Sequence, residues 1–111
     1  YGELRTALLA GDLAKVGFLT ERSALAMHAS ALAAGVVYVT GATLDVLAAV
    51  RALRRDGRVA YATMDAGPHV KVLTSGREAG LLAKTLRGVP GVLRVLETAP
   101  GDGAQLIEEA L

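Results

Sequence analysis

Two short apolar runs, Val59 to Met64 and Val70 to Leu73, are separated only by Asp65-Ala66-Gly67-Pro68-His69, a link too short for a parallel crossover, so the runs are expected to pair antiparallel. Val59, Tyr61 and Thr63 alternate with Ala60, Ala62 and Met64, as befits a strand with two different faces. Pro68 fixes its own φ, lacks an N–H and pushes Gly67 out of the helical region, while Gly67 lets backbone pass close to a ligand. The hairpin therefore presents one carboxylate, Asp65, just beyond a strand, with the N–H groups of Ala66 and Gly67 as donors to an anionic group. The same residues also suit an ordinary turn in which Asp65 caps local N–H groups. Spacing alone leaves both readings open.

Helical signals precede this hairpin. Glu3 to Leu9 forms a short segment stopped by Gly11, and Asp12 caps a longer helix running to about Ala33. Leu13, Val16, Thr20, Ser23, Met27 and Ala31 make one stripe on it, with Gly17, Glu21, Ala24 and His28 beside them. The helix is apolar over much of its surface and is expected to be mostly buried. Gly17 in its interior costs ~1 kcal/mol relative to Ala, which points to close packing there. His28, a lone His on such a helix, suits a core residue with satisfied ring nitrogens, and Met27 suits packing. Val36 to Val39 is β-branched and apolar, as a buried strand would be. After a turn at Thr40-Gly41, a helix from about Ala42 to Arg55 carries Leu44, Leu47, Val50 and Leu53 near one face. Arg54 and Arg55 complement the negative end of its dipole, so this basic run reads as a helix end stopped by Gly57 rather than as a phosphate site.

Beyond the hairpin, Ser75-Gly76-Arg77-Glu78 has the form of a capping box, opening a helix with Ala79, Leu82, Ala83 and Leu86 at helical spacing and Gly88 and Pro90 at its end. Val92 to Leu96 makes a fourth strand. Pro100-Gly101-Asp102-Gly103 turns into a last helix from about Ala104, capped by Asp102 with Gln105, with Leu106, Ile107 and Ala110 facing inward. The order from Val36 is strand, helix, strand, strand, helix, strand. That order predicts an α+β fold of the ferredoxin-like split βαβ type, a four-stranded, largely antiparallel sheet with helices on one face. One domain spans residues 1–111: a helical part over 1–34, a βαββαβ core over 35–98 and a C-terminal helix over 102–111.

Composition narrows the function classes. A chain of 111 residues, 52% of them apolar, buries roughly two-thirds of its unfolded surface in one modest core and is not a disordered segment. Only 4% are aromatic and none is Trp, which leaves no platform for stacking bases. The net charge of +1 is spread without clusters, so no nucleic-acid partner is expected. Without Cys there is neither a disulfide framework nor a thiolate site, which is compatible with a cytoplasmic location. No run approaches a membrane span and no leader is evident, so no membrane partner is expected. With only two His, far apart in the chain, and no Cys, a metal site is not expected. Tyr1 in place of Met suggests a trimmed chain or the tail of a longer protein.

Thr63-Met64-Asp65-Ala66-Gly67-Pro68-His69-Val70-Lys71 resembles the Asp-Ala-Gly-Pro-Asn segment of diphosphomevalonate decarboxylases, members of the GHMP kinase superfamily. Glu21-Arg22-Ser23-Ala24-Leu25-Ala26-Met27-His28-Ala29 resembles the Met-His-Ala helix that precedes that segment in the same family. The two stand in the family's order and at about its spacing, and the likeness extends from roughly Asp12 to the end. The resemblance implies the C-terminal domain of an enzyme that uses ATP to phosphorylate the 3-hydroxyl of mevalonate 5-diphosphate. Loss of phosphate and carbon dioxide then yields isopentenyl diphosphate, in the mevalonate pathway of isoprenoid biosynthesis. It implies Asp65 as the catalytic residue, orienting the hydroxyl and serving as a candidate acceptor of its proton, and Ala66, Gly67, Met27 and His28 as residues bordering the substrate. ATP and Mg²⁺ would be held mainly by an N-terminal nucleotide-binding domain that this chain lacks, so the chain alone is expected to fold without turning over. A homodimer is left open. His69 stands where the family has Asn, Ser23 where it usually has Asn, and Val36-Val37 where it often has Pro-Pro. These departures bear on substrate identity: relatives acting on 5-phosphomevalonate, or stopping at 3-phosphorylation of mevalonate, share the layout. A noncatalytic ferredoxin-like binding module is the alternative from another class.

Overall fold

The structure, a computed structural model, describes residues 1–108. Among the described residues there are four helices, α1 (Gly2–Ala10), α2 (Leu13–Ala33), α3 (Gly41–Arg55) and α4 (Ala79–Arg87), and an antiparallel pair, β1 (Tyr61–Thr63) and β2 (Lys71–Leu73), with α1 packed on α2. The fold is α+β. The expected hairpin forms in the register Tyr61 to Leu73, Ala62 to Val72 and Thr63 to Lys71.

Local sequence accounts for the helix ends. Asp12 accepts a hydrogen bond from the Lys15 N–H at 3.0 Å and starts α2. At α3, Thr40 and Thr43 cap each other reciprocally, Thr43 N–H to Thr40 Oγ1 and Thr40 N–H to Thr43 Oγ1. Its far end closes when Arg58 N–H reaches back to Leu53 O and Gly57 N–H to Arg54 O, both 3.0 Å, which satisfies carbonyls the helix leaves open.

The two faces of the ribbon pack differently. Ala60 and Ala62 lie in the core with Val50 and Leu53 of α3 and Leu82 and Leu86 of α4, and Val70 and Val72 pack against this cluster. Tyr61 points the other way, onto α2 at Gly17, where a Cβ would lie 2.9 Å from Tyr61 Cβ and nearer still to its ring carbons. The close packing expected at Gly17 is therefore present. Glu21, one turn on, donates nothing but accepts three bonds: Arg54 Nη1 and Nη2 at 2.9 Å each and the Ala62 N–H at 2.8 Å. Arg54 also donates to Ala60 O at 2.9 Å and lies 4.8 Å from the Tyr61 ring centroid. One ion pair thus ties α2, α3 and β1.

Several expectations are corrected. The sheet has two strands among the described residues, not four: Val36 to Val39 and Val92 to Leu96 join no ladder. β-branched sequence favours an extended chain, but a strand exists only where a neighbour takes its backbone hydrogen bonds. Val36 and Val37 are exposed, whereas Val95 does pack against the core. The buried side of α2 is Gly17, Glu21, Ala24 and His28, not the stripe through Leu13 and Met27, and Phe18, Met27 and Leu32 are exposed. Close approach at Gly17 and Ala24 selects that side. Glu78 does not complete a capping box on α4; its carboxylate instead accepts from Val59 N–H at 3.1 Å and Ser75 Oγ at 3.2 Å. No helix forms over residues 104–108, where Leu106 and Ile107 are exposed, and the expectation for Ala110 lies outside the described residues. Among the described residues no helix is long and apolar enough to cross a membrane.

Candidate active site

Asp65 follows β1 directly, after buried Met64, and its side chain stands 85% exposed. The turn that carries it is fixed from beneath. His28, buried on α2, meets Asp65 O with Nε2 at 2.9 Å, and because a carbonyl only accepts, Nε2 carries the proton. Thr43, buried near the start of α3, donates from Oγ1 to Pro68 O at 2.9 Å. Gly67 between these anchors has φ 153°, a backbone conformation that L side chains seldom adopt. The N–H groups of Ala66 and Gly67 make no hydrogen bond to another described residue, so they remain available as donors.

The Asp65 carboxylate does not cap local N–H groups. Its Oδ2 accepts from Lys71 Nζ, on the strand that returns from the turn. The Lys71 hydrogen bond and its positive charge hold the Asp65 carboxyl below the usual aspartate range, against a small opposing effect of burial. Asp65 is thus ionised at neutral pH, which suits a group that orients a hydroxyl and stabilises charge, and lowers its strength as a base. Two surface depressions, one lined by Arg87, Val92 and Arg94 and one by Arg58, Ser75, Arg77 and Glu78, do not include Asp65.

The structure brings Asp65, Ala66, Gly67 and His28 together. His28 does so as a buried support whose ring edge rests on Tyr38, with centroids 5.8 Å apart. Met27 is 45% exposed on the neighbouring side of α2 and has no described contact with the turn. Sequence reasoning missed Thr43 and the pairing of Lys71 with Asp65. A signal existed for Thr43, since two Thr three residues apart before a helix is a capping pattern, but nothing local told that its hydroxyl reaches Pro68. Among the described residues no three His, Cys, Asp or Glu side chains converge as a cation site, and the carboxylate of Asp65 is already paired with Lys71.

No protein-family model and no curated protein sequence matches the chain. Solved structures do. Mevalonate diphosphate decarboxylase from Staphylococcus aureus superposes on 78% of this chain with a TM-score of 0.74 and 32% identity. The chain resembles one part of a mevalonate diphosphate decarboxylase. The decarboxylase of Streptococcus pyogenes agrees, with a TM-score of 0.72 and 42% identity over 78% of the chain. So does MDDEF, solved in complex with MVAPP, AMPPCP and magnesium, with a TM-score of 0.74 and 30% identity over 81% of the chain. The chain spans only 27–28% of the length of these three proteins. The likeness carried by the Met-His-Ala and Asp-Ala-Gly-Pro motifs thus has a counterpart in three dimensions.

Proposed function

We propose that the chain is the C-terminal domain of an ATP-dependent decarboxylase that converts mevalonate 5-diphosphate to isopentenyl diphosphate. The carrying observation is Asp65, an ionised carboxylate on a turn tied at both ends and open to solvent. In this reading Asp65 accepts a hydrogen bond from the 3-hydroxyl and aims its oxygen at the phosphoryl group, which is positioning rather than covalent chemistry. Lys71 keeps the carboxylate charged, and the free N–H groups of Ala66 and Gly67 face the anionic substrate. His28 acts from below the turn, and Met27 lines the rim. ATP supplies the phosphoryl group when bound with Mg²⁺ by the nucleotide-binding domain, which lies in the rest of a longer chain. That MDDEF forms a complex with MVAPP, AMPPCP and magnesium supports a part for nucleotide and Mg²⁺ in the reaction.

The domain reading follows the same lines, with 1–34 helical and 35–98 as the core. Val36 to Val39 and Val92 to Leu96 are the segments that would complete a four-stranded ferredoxin-like sheet in the whole protein. The test is Asp65→Asn in the full-length protein. Turnover should fall by about 10² to 10⁴, the usual worth of a positioned acid or base, while folding and nucleotide binding persist. Unchanged turnover would leave Asp65 a structural turn residue and favour a noncatalytic binding module.

A further inference from the structure

The turn from Asp65 to Pro68 is anchored at both of its terminal carbonyls by buried side chains from two different helices. Thr43 is 2% exposed and His28 5%, so neither lies where a substrate would touch it. The Thr43 hydroxyl is fully committed. Its single proton goes to Pro68 O at 2.9 Å, and its two lone pairs take the Thr40 N–H and the Thr40 hydroxyl, each at 3.0 Å. Thr40 Oγ1 in turn accepts from Thr43 N–H at 3.2 Å, so the hydroxyl cannot rotate away without breaking the cap of α3. His28 is similarly restrained, its Nε2–H on Asp65 O and its ring edge against Tyr38 at an interplanar angle of 77°. Beyond these bonds, the exposed end of the turn is tied by the surface pair of Asp65 with Lys71.

We propose that Thr43 and His28 are positioning residues for Asp65, clamping the first and last carbonyls of its turn so that the carboxylate meets the substrate hydroxyl at one fixed point. The inference rests on Asp65 as the group that orients that hydroxyl. A displacement of about 1 Å in such a group costs roughly 100-fold in rate, and loss of one anchor frees the turn by a comparable distance. Because the anchors are buried and meet the turn rather than the substrate, their loss is felt in kcat and leaves substrate affinity nearly unchanged.

The experiment is a double-mutant cycle in the full-length enzyme. Thr43→Val keeps the shape of the side chain and removes the donor; Thr43→Ser keeps the donor. Expected is a fall in kcat of about 10- to 100-fold for Thr43→Val, with KM within about threefold, and recovery in Thr43→Ser. In an Asp65→Asn background, Thr43→Val should cause no further loss, since what it positions is gone. An equal fold-loss in both backgrounds overturns the proposal, as does an undiminished kcat in Thr43→Val. Should Thr43→Val fail to fold, His28→Gln, which retains an N–H donor, and His28→Leu, which does not, give the same comparison. Full activity in His28→Leu overturns it equally. Failure of the underlying reading is distinct: it appears as unchanged turnover in Asp65→Asn alone.

Discussion

Replacing Gly17 by Ala sets two effects of known sign against each other. Ala is better than Gly inside a helix by about 1 kcal/mol, so α2 by itself gains. The added methyl, however, would sit 2.9 Å from Tyr61 Cβ and closer to the ring. The Tyr61 Cβ is fixed by the strand backbone, so no rotamer relieves the first contact. To reach an ordinary carbon–carbon separation of about 3.5–4.0 Å, α2 must withdraw from β1 by roughly 1 Å. Overpacking of this kind costs about 1–3 kcal/mol. Withdrawal also stretches the Glu21 bond to Ala62 N–H, now 2.8 Å, and the His28 bond to Asp65 O, now 2.9 Å; each is worth about 1 kcal/mol. The net expectation is a loss of about 1–4 kcal/mol, or about 4–8 °C of melting temperature per kcal/mol for a domain of this size. Urea denaturation of the domain measures it. The control is the same substitution in a Tyr61→Ala background, where the obstacle is gone and the sign should reverse to a gain of up to about 1 kcal/mol. A neutral or stabilised Gly17→Ala in the presence of Tyr61 would refute the account.

Glu21→Gln should destabilise by about 2–4 kcal/mol, somewhat less than a fully buried pair because Arg54 keeps 30% of its side-chain surface in water. Burial pushes the Glu21 carboxyl up, but the Arg54 and Ala62 hydrogen bonds and the nearby Arg charges outweigh it and lower its pKa. The pair's contribution is therefore complete above the ordinary glutamate range and is lost as pH falls through the lowered value, so wild type and Glu21→Gln should converge in acid denaturation. Lys71→Met in the full-length protein should move the acidic limb of the kcat/KM profile to higher pH, because Asp65 then regains its proton more readily; an unmoved limb would separate Lys71 from the titrating group. Leu82→Ala, at a site only 2% exposed between α4 and the ribbon, should cost about 3 kcal/mol by thermal melt.

What was legible in the sequence is what is encoded within a few residues. The ends of α1, α2 and α3, the hairpin and its antiparallel sense all follow from caps, glycines and alternation, and each is present. Gly17 announced a close contact but not its partner. The missing strands and the burial of only one side of α2, where most of the helix was expected to be buried, share one cause: both depend on which surfaces meet, a long-range fact. Hydrophobicity favoured the Met27 stripe, yet the interface formed where Gly17 and Ala24 allow approach and where Glu21 finds Arg54, 33 residues away. The site divides in the same way. Asp65 was recognisable from its own turn, whereas Thr43 could be found only from the side chain's reach to Pro68, 25 residues on.

The Glu21–Arg54 pair has one more effect, on the rim of the ribbon. In an antiparallel strand the N–H and C=O of alternate residues point to the same side. The Ala62 N–H and Ala60 C=O both point away from β2, and both are already occupied, by Glu21 and Arg54. Side chains thus already hold two of the hydrogen-bonding groups on that rim, which hinders the pairing of an incoming strand there. Sheet growth is thereby favoured on the β2 side, and a chain lacking Glu21 would release the Ala62 N–H as one more point of attachment for a neighbouring strand.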